Sequence, residues 1–349
     1  MKDIKKDPFE EYIKNLPPNR RERGEAWAAA IGLQDVDGLK PSDYLYETAK
    51  KNIDGEITID EVDELIDSYY ETKEGRAEHG TEEADKVSAR IARLLSDKAF
   101  VFSPTQYISI HRELFKGIYS HAGKIRDYNI TKREWVLDGD TVSYGSALNL
   151  RETLDYDFSQ ERAFRYNGLT MDETIHHLAM FVSRLWQIHI FGEGNTRTTA
   201  VFFIKYLRYL GFEVDNDLFA EHSWYFRNAL VRASYSNINK GIYEATEYVE
   251  KFLRNLIRGE NNPLHNREMH VSGKFVIDDD PINDPIKPDE KEEKIIDLLR
   301  SEPGITRAKM AKALGCSEST VKRAIQAMVS KNMIRRIGSN KKGEWIIVE

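Results

Sequence analysis

The spacing of apolar residues predicts a mainly α-helical chain built in more than one domain. Three observations carry this. From residue 83 to about residue 261 apolar side chains recur at helical spacing. β-forming runs are confined to one stretch near Trp135 and to the last residues, and between about Asn261 and Asp289 periodicity fails in a Pro- and Asp-rich segment. At 349 residues the chain exceeds one ordinary core. With 40% hydrophobic and 31% charged residues it is not a largely disordered polymer.

Residues 1–40 read as a polar lead-in, with Pro17-Pro18 and the charged run from Arg20 to Arg23. Residues 41–82 predict a helical hairpin. Ser42 can cap the first helix, the Asp54-Gly55 turn ends it, and Thr58 can cap a second carrying Val62, Leu65, Ile66 and Tyr69. Residues 83–261 form the main helical body. One exception interrupts it: Trp135, Val136 and Leu137, then Asp138-Gly139-Asp140, then Thr141 and Val142, a pattern that predicts a short β-hairpin. Residues 262–289 read as a linker, and residues 290–349 as a small closing domain.

Charge divides the chain in the same place. Residues 290–349 carry 13 Lys+Arg against 8 Asp+Glu, whereas the remainder carries 38 against 50. A basic tail on an acidic body implies different partners for the two parts. No apolar run approaches the roughly 20 residues of a bilayer span, and the first residues have no apolar signal segment. The single cysteine, Cys316, excludes a disulfide framework and a Cys-based zinc site. No membrane association and a cytoplasmic setting are therefore expected.

The chemistry concentrates in His189-Ile-Phe-Gly-Glu-Gly-Asn195-Thr-Arg197-Thr-Thr-Ala200, a Gly-containing turn between two predicted helices. A turn that opens a helix directs free backbone N–H groups forward and makes a natural phosphate site. Asn195 adds a neutral donor and Arg197 a fixed cation. Glu193 can hold a divalent cation bridging phosphate oxygens. His189 is the side chain nearby whose ordinary pKa suits it to take a hydroxyl proton. The turn is not a Walker loop, since no Gly-Lys-Ser/Thr follows. On spacing alone a polar helix cap is the competing reading.

This run resembles the signature of the Fic family, His-x-Phe-x-(Asp/Glu)-Gly-Asn-Gly-Arg-x-x-Arg, through His189, Phe191, Glu193, Gly194, Asn195 and Arg197. The resemblance implies a Fic-type helical core whose members mostly transfer AMP from ATP to a protein hydroxyl. It implies His189 as the base for a Ser, Thr or Tyr hydroxyl and Glu193 as the Mg²⁺ ligand. Asn195 and Arg197 become phosphate binders, with Gly192, Gly194 and Thr196 lending backbone groups to an anion hole. Tyr225 is the aromatic residue assigned to stack on adenine. The predicted hairpin, with Trp135, Val136, Leu137 and Val142, sits where the family places a flap that docks the target by strand addition. Gly123-Lys-Ile-Arg126 resembles the family's Gly-x-x-Arg lead-in.

Two positions depart from the signature. Thr196 replaces Gly, which removes backbone freedom. Ala200 replaces a second Arg that in the family holds the γ-phosphate; a buried charge-assisted bond of that kind contributes about 1.5–3 kcal/mol. Residues 41–82 are similar to the family's antitoxin-type inhibitory segment. The best match to its (Ser/Thr)-x-x-x-Glu-(Gly/Asn) motif is Lys50-x-x-x-Asp54-Gly55, which makes Asp54 the candidate inhibitory acid.

Residues 290–349 resemble a winged helix-turn-helix: three short helices, then two strands around a Gly338-to-Gly343 turn. Ser319, Lys322, Arg323 and Gln326 on the third helix, with Arg336 and Lys341 on the ribbon, are the expected DNA contacts. The favoured function is Mg²⁺-dependent transfer of AMP to a protein hydroxyl. The alternative is a DNA-binding regulator whose altered Fic site only senses a nucleotide. A homodimer is left open.

Overall fold

A computed structural model of the chain describes residues 8–72, 81–214 and 217–273. Further on it describes 295–296, 298–299, 305–313, 321, 325, 328, 334–337 and 344–347. The chain divides into two compact units, residues 1–283 and 284–349.

The first unit is helical. Residues 8–37 are not a polar lead-in: they form α1 (Pro8–Lys14), α2 (Pro18–Gly32) and a 3₁₀ turn, Leu33–Asp37. Pro18 starts α2 because its fixed φ and missing N–H suit a first turn. The charge of the Arg20–Arg23 run masks the other face, where Ala26, Trp27, Ala29 and Ala30 are buried in the core. The predicted hairpin is present as α3 (Asp43–Asp54) and α4 (Ile59–Glu71). Ser42 and Thr58 act as side-chain caps, and Gly55 ends α3 in the left-handed region that a residue with Cβ resists. Asp85 fastens this hairpin to the body: its buried carboxylate accepts from Ser42 N, Ser42 Oγ and Tyr70 Oη.

The body comprises α5 (Glu82–Ser96), α6 (Pro104–Phe115), α7 (Leu150–Ala163), α8 (Met171–Ile188), α9 (Asn195–Tyr209), α10 (Asp217–Ala233) and α11 (Glu247–Arg258). Helix α9 is the axis. It is buried from Asn195 to Leu207 and packs on α5, α6, α8 and the Leu33–Asp37 turn. Such all-round burial explains why the segment Val201–Leu207 reads as nearly continuous apolar sequence.

Residues 134–142 form no β-ladder among the described residues. Asp138 and Gly139 do make the tight turn, both at positive φ, but Trp135–Leu137 curls into a 3₁₀ turn. Three consecutive apolar residues on a strand would point to alternate faces. Curling instead sinks Val136 and Leu137 together into the core, where Val142 is also buried. The Val136 carbonyl accepts from Val271 N–H, so residues after α11 lie against this turn. Trp135 is half-buried, edge-on to His270.

In the second unit Ile295, Leu299, Ile305, Met310, Val321, Ile325, Met328 and Ile334 share one small core. Helix α12 (Arg307–Ala313) lies within it. Strands β1 (Ile334–Ile337) and β2 (Glu344–Ile347) pair antiparallel with Arg336 opposite Trp345. Ser319, Lys322, Arg323, Gln326 and Lys341 lie outside the described residues, as does the side chain of Arg336. Among the described residues no helix is long and apolar enough to cross a membrane.

Candidate active site

Helix α8 ends at His189, which takes left-handed backbone angles (φ 51°, ψ 55°). A non-glycine residue there costs about 1–2 kcal/mol, and Arg126 offsets it. Its guanidinium donates from Nε to His189 O (2.8 Å), from Nη2 to Gly145 O (2.6 Å), and from Nη1 to Tyr128 O. The last carbonyls of α8, otherwise unpaired in a buried place, thus face a cation.

The His189 side chain is 3% exposed, and neither ring nitrogen has a hydrogen-bond partner among the described residues. Tyr144 packs on the ring at 4.3 Å and Trp186 meets it edge-on at 5.3 Å. Burial, then the positive charges of Lys132 and Arg227, push its pKa well below the usual histidine range. His189 is therefore a neutral, unpaired base at neutral pH. Behind it, Glu134 and Arg227 form a buried ion pair (2.7 Å), and Tyr144 Oη donates to Glu134 (3.0 Å).

The turn after His189 is held from three sides. Asn195 Oδ1 accepts from Phe191 N–H and its Nδ2 donates to Phe191 O, so this side chain closes the loop upon itself. Thr196 Oγ1 accepts from Trp186 Nε1 (3.0 Å), a role glycine could not fill. Gly194 sits at φ 73°, where a Cβ would lie 2.3 Å from Phe115. A Cβ on Gly192 would lie 2.6 Å from Tyr128 Oη and 3.3 Å from His121 Nε2. The first N–H bonded within α9 is that of Thr198, to Gly194 O, so the earlier N–H groups face out of the helix start.

The two charged residues of the turn are both occupied. Glu193, with a half-exposed side chain, is 2.9 Å from Lys132 Nζ. Arg197, 1% exposed, donates to Gln34 Oε1 (3.0 Å), Glu83 Oε1 (2.7 Å) and Tyr119 Oη (3.3 Å). Its Nε is 2.8 Å from Asp37 Oδ2, and the guanidinium lies over the Phe115 ring. Burial opposes the charge, but Asp37 and Glu83 outweigh it and raise the pKa of Arg197 further.

Two assigned residues fall elsewhere. Tyr225 is 1% exposed, ring-stacked with Phe252 and bonded to Tyr248 O, so it is a core residue. Asp54 pairs with Arg20 at the end of α3; the acids on the motif arginine are Asp37 and Glu83. Val136, Leu137 and Val142 have their side chains in the core. Sequence reading missed Gln34, Asp37, Glu83, Lys132 and the Glu134–Arg227 pair. A buried guanidinium demands acids, but which acids is set by chain segments 114 and more positions away.

The Fic/DOC family profile matches residues 101–207. The chain carries a Fic/DOC domain. A winged helix-turn-helix DNA-binding profile matches residues 288–335, so the second unit is a winged helix domain. A Fic family protein from Desulfovibrio desulfuricans G20 superposes with TM-score 0.47 at 13% identity, covering 96% of this chain and 89% of that one. The N-terminal Fic domain of a VirB-translocated effector from Bartonella sp. 1-1C gives TM-score 0.40 at 20% identity, over 50% of this chain and 82% of that one. The corresponding domain from Bartonella sp. AR 15-3 gives 0.40 at 17%, over 57% and 87%. No curated protein matches the sequence. The matched Fic region runs from just before α6 to Leu207 in α9, and so includes every residue of the His189–Arg197 turn.

Proposed function

We propose that the Fic domain transfers AMP from ATP to a Ser, Thr or Tyr hydroxyl of a target protein. The observation that carries this is His189, a neutral imidazole with both ring nitrogens unpaired among the described residues, held one turn before a helix start whose first N–H groups have no partner among them. A buried polar atom without a partner calls for an explanation, and an incoming hydroxyl supplies one. The hydroxyl oxygen bonds to the α-phosphorus, the bond from that phosphorus to the pyrophosphate oxygen breaks, and the hydroxyl proton passes to a ring nitrogen of His189. The α9 start receives the phosphate charge, and Arg197 adds a cation once Asp37 and Glu83 release it.

Magnesium fits this set. No group of three or more His, Cys, Asp or Glu side chains suited to a metal exists among the described residues. Mg²⁺ at nucleotide sites needs only one or two carboxylates plus phosphate oxygens, and Glu193 is a half-exposed carboxylate at the turn. The ion would neutralise phosphate charge there. Lys132 must then leave Glu193, at a cost of about 0–1 kcal/mol for an exposed pair.

A second reading has its own observation: both terminal nitrogens of Arg197 are hydrogen-bonded to protein groups and Asp37 ion-pairs with it, as in a site that senses a nucleotide rather than turning it over. The winged helix unit would then read DNA. Label transfer from α-labelled ATP with Mg²⁺, comparing wild type with His189→Ala, decides between them. Label on a protein, lost in the variant, supports the transferase. ATP binding without label supports the sensor.

A further inference from the structure

We infer that His111 is a positioning residue for this site: its imidazole, fixed in one tautomer, pins the Glu193 carbonyl and so aims the Gly194 N–H into the anion-binding turn. The inference rests on the proposed function.

His111 lies on α6 and is fully buried. Its ring stacks on Phe191 at 3.7 Å and 12°, with Phe115 4.8 Å away. Gly123 N–H donates to Nδ1 (2.8 Å), so Nδ1 carries no proton. The single proton of a neutral ring is then on Nε2, which donates to Glu193 O (3.0 Å).

Pinning that carbonyl has a consequence for the next residue. In a trans peptide the C=O and the following N–H point in opposite directions. With Glu193 O turned toward His111, the Gly194 N–H is turned away from it. Gly194 cannot relax to another orientation freely, because the turn is held by Phe115 on one side and by Asn195 on the other. The Gly-x-x-Arg segment thereby acquires a double role. Gly123, at φ 71° and with Arg112 2.7 Å from the place of a Cβ, fixes the tautomer of His111, while Arg126 fixes the His189 carbonyl.

The test uses the full chain as wild type, His111→Phe and His111→Gln. Histidine ¹⁵N shifts, with His111 assigned by its loss in the Phe variant, should show a protonated Nε2 and bare Nδ1. ATP affinity is measured by calorimetry, in these chains and in the same variants carrying Asp37→Asn. His111→Phe, which keeps the stacked ring, should weaken ATP binding about tenfold, the scale of one lost hydrogen bond. His111→Gln, whose amide can donate to the same carbonyl, should recover part of it. An Nδ1-protonated ring overturns the inference. So does ATP affinity equal to wild type in the Phe variant, or no recovery in the Gln variant. If neither wild type nor Asp37→Asn takes up ATP, the functional reading fails first and the role assigned to His111 falls with it.

Discussion

Asp37 and Arg197 are 160 positions apart by number and 2.8 Å apart in space, an ion pair that closes over the motif arginine. Asp37 ends the 3₁₀ turn after α2, Arg197 lies in the first turn of α9, and Glu83 at the start of α5 completes the enclosure. A phosphate and these carboxylates want the same donors, so on the proposed function nucleotide binding would compete with them.

Replacing both acids, as Asp37→Asn with Glu83→Gln, should therefore raise ATP affinity about tenfold or more and increase label transfer. The same change leaves a buried guanidinium poorly paired, which costs about 3–5 kcal/mol. The melting temperature should fall without ligand and recover with ATP. Unchanged or weaker ATP binding in a folded double variant would remove the competition.

Arg126→Met should destabilise the first unit by about 2–4 kcal/mol, because it strands the carbonyls of Tyr128, Gly145 and His189 and releases the strained end of α8. Urea unfolding checks the magnitude. Label transfer should fall in kcat more than in KM for ATP, since His189 moves and Arg197 does not.

Acid should weaken the fold through His111. Its native pKa of about 4 lies below the ordinary histidine value of 6.5, so the unfolded chain binds the proton first as pH falls. The contribution is complete above pH 6.5 and is lost progressively as pH falls to about 4. It amounts to about 3 kcal/mol at most. Between pH 7 and 4.5 the stability loss of wild type should exceed that of His111→Phe; equal slopes would contradict the shift.

Asp54→Ala and Tyr225→Phe should leave ATP affinity and label transfer within about twofold of wild type, the usual scale for positions away from a site. Asp54 is occupied by Arg20, and Tyr225 contributes one long bond to Tyr248. A large gain from Asp54→Ala would restore it as the inhibitory acid. Truncation before residue 88 cannot substitute for such point changes, because it removes Trp27, Leu45 and Ile66 from the core.

Deleting residues 290–349 should abolish retention on duplex DNA at low salt, with retention by the full chain falling steeply as salt rises. Retention that survives the deletion would place DNA contacts on the acidic first unit instead.

What the sequence by itself determined is local. Ser42 and Thr58 cap helices, Gly55 ends one, and Asp138-Gly139 turns the chain, because capping and positive φ depend on a few adjacent residues. The His189–Arg197 turn was legible for the same reason: its chemistry lies within nine consecutive residues. Only the tertiary structure decided what each of those residues faces. The charged face of α2 hid a buried one, and three apolar residues at Trp135–Leu137 chose a core over a strand. Asp37, Gln34 and Glu83 were assigned to Arg197, His111 to Glu193, and Tyr225 to the interior, by packing between distant segments. A buried charge must be paired and a buried carbonyl must be bonded, but the partner is whichever group the fold brings within about 3 Å.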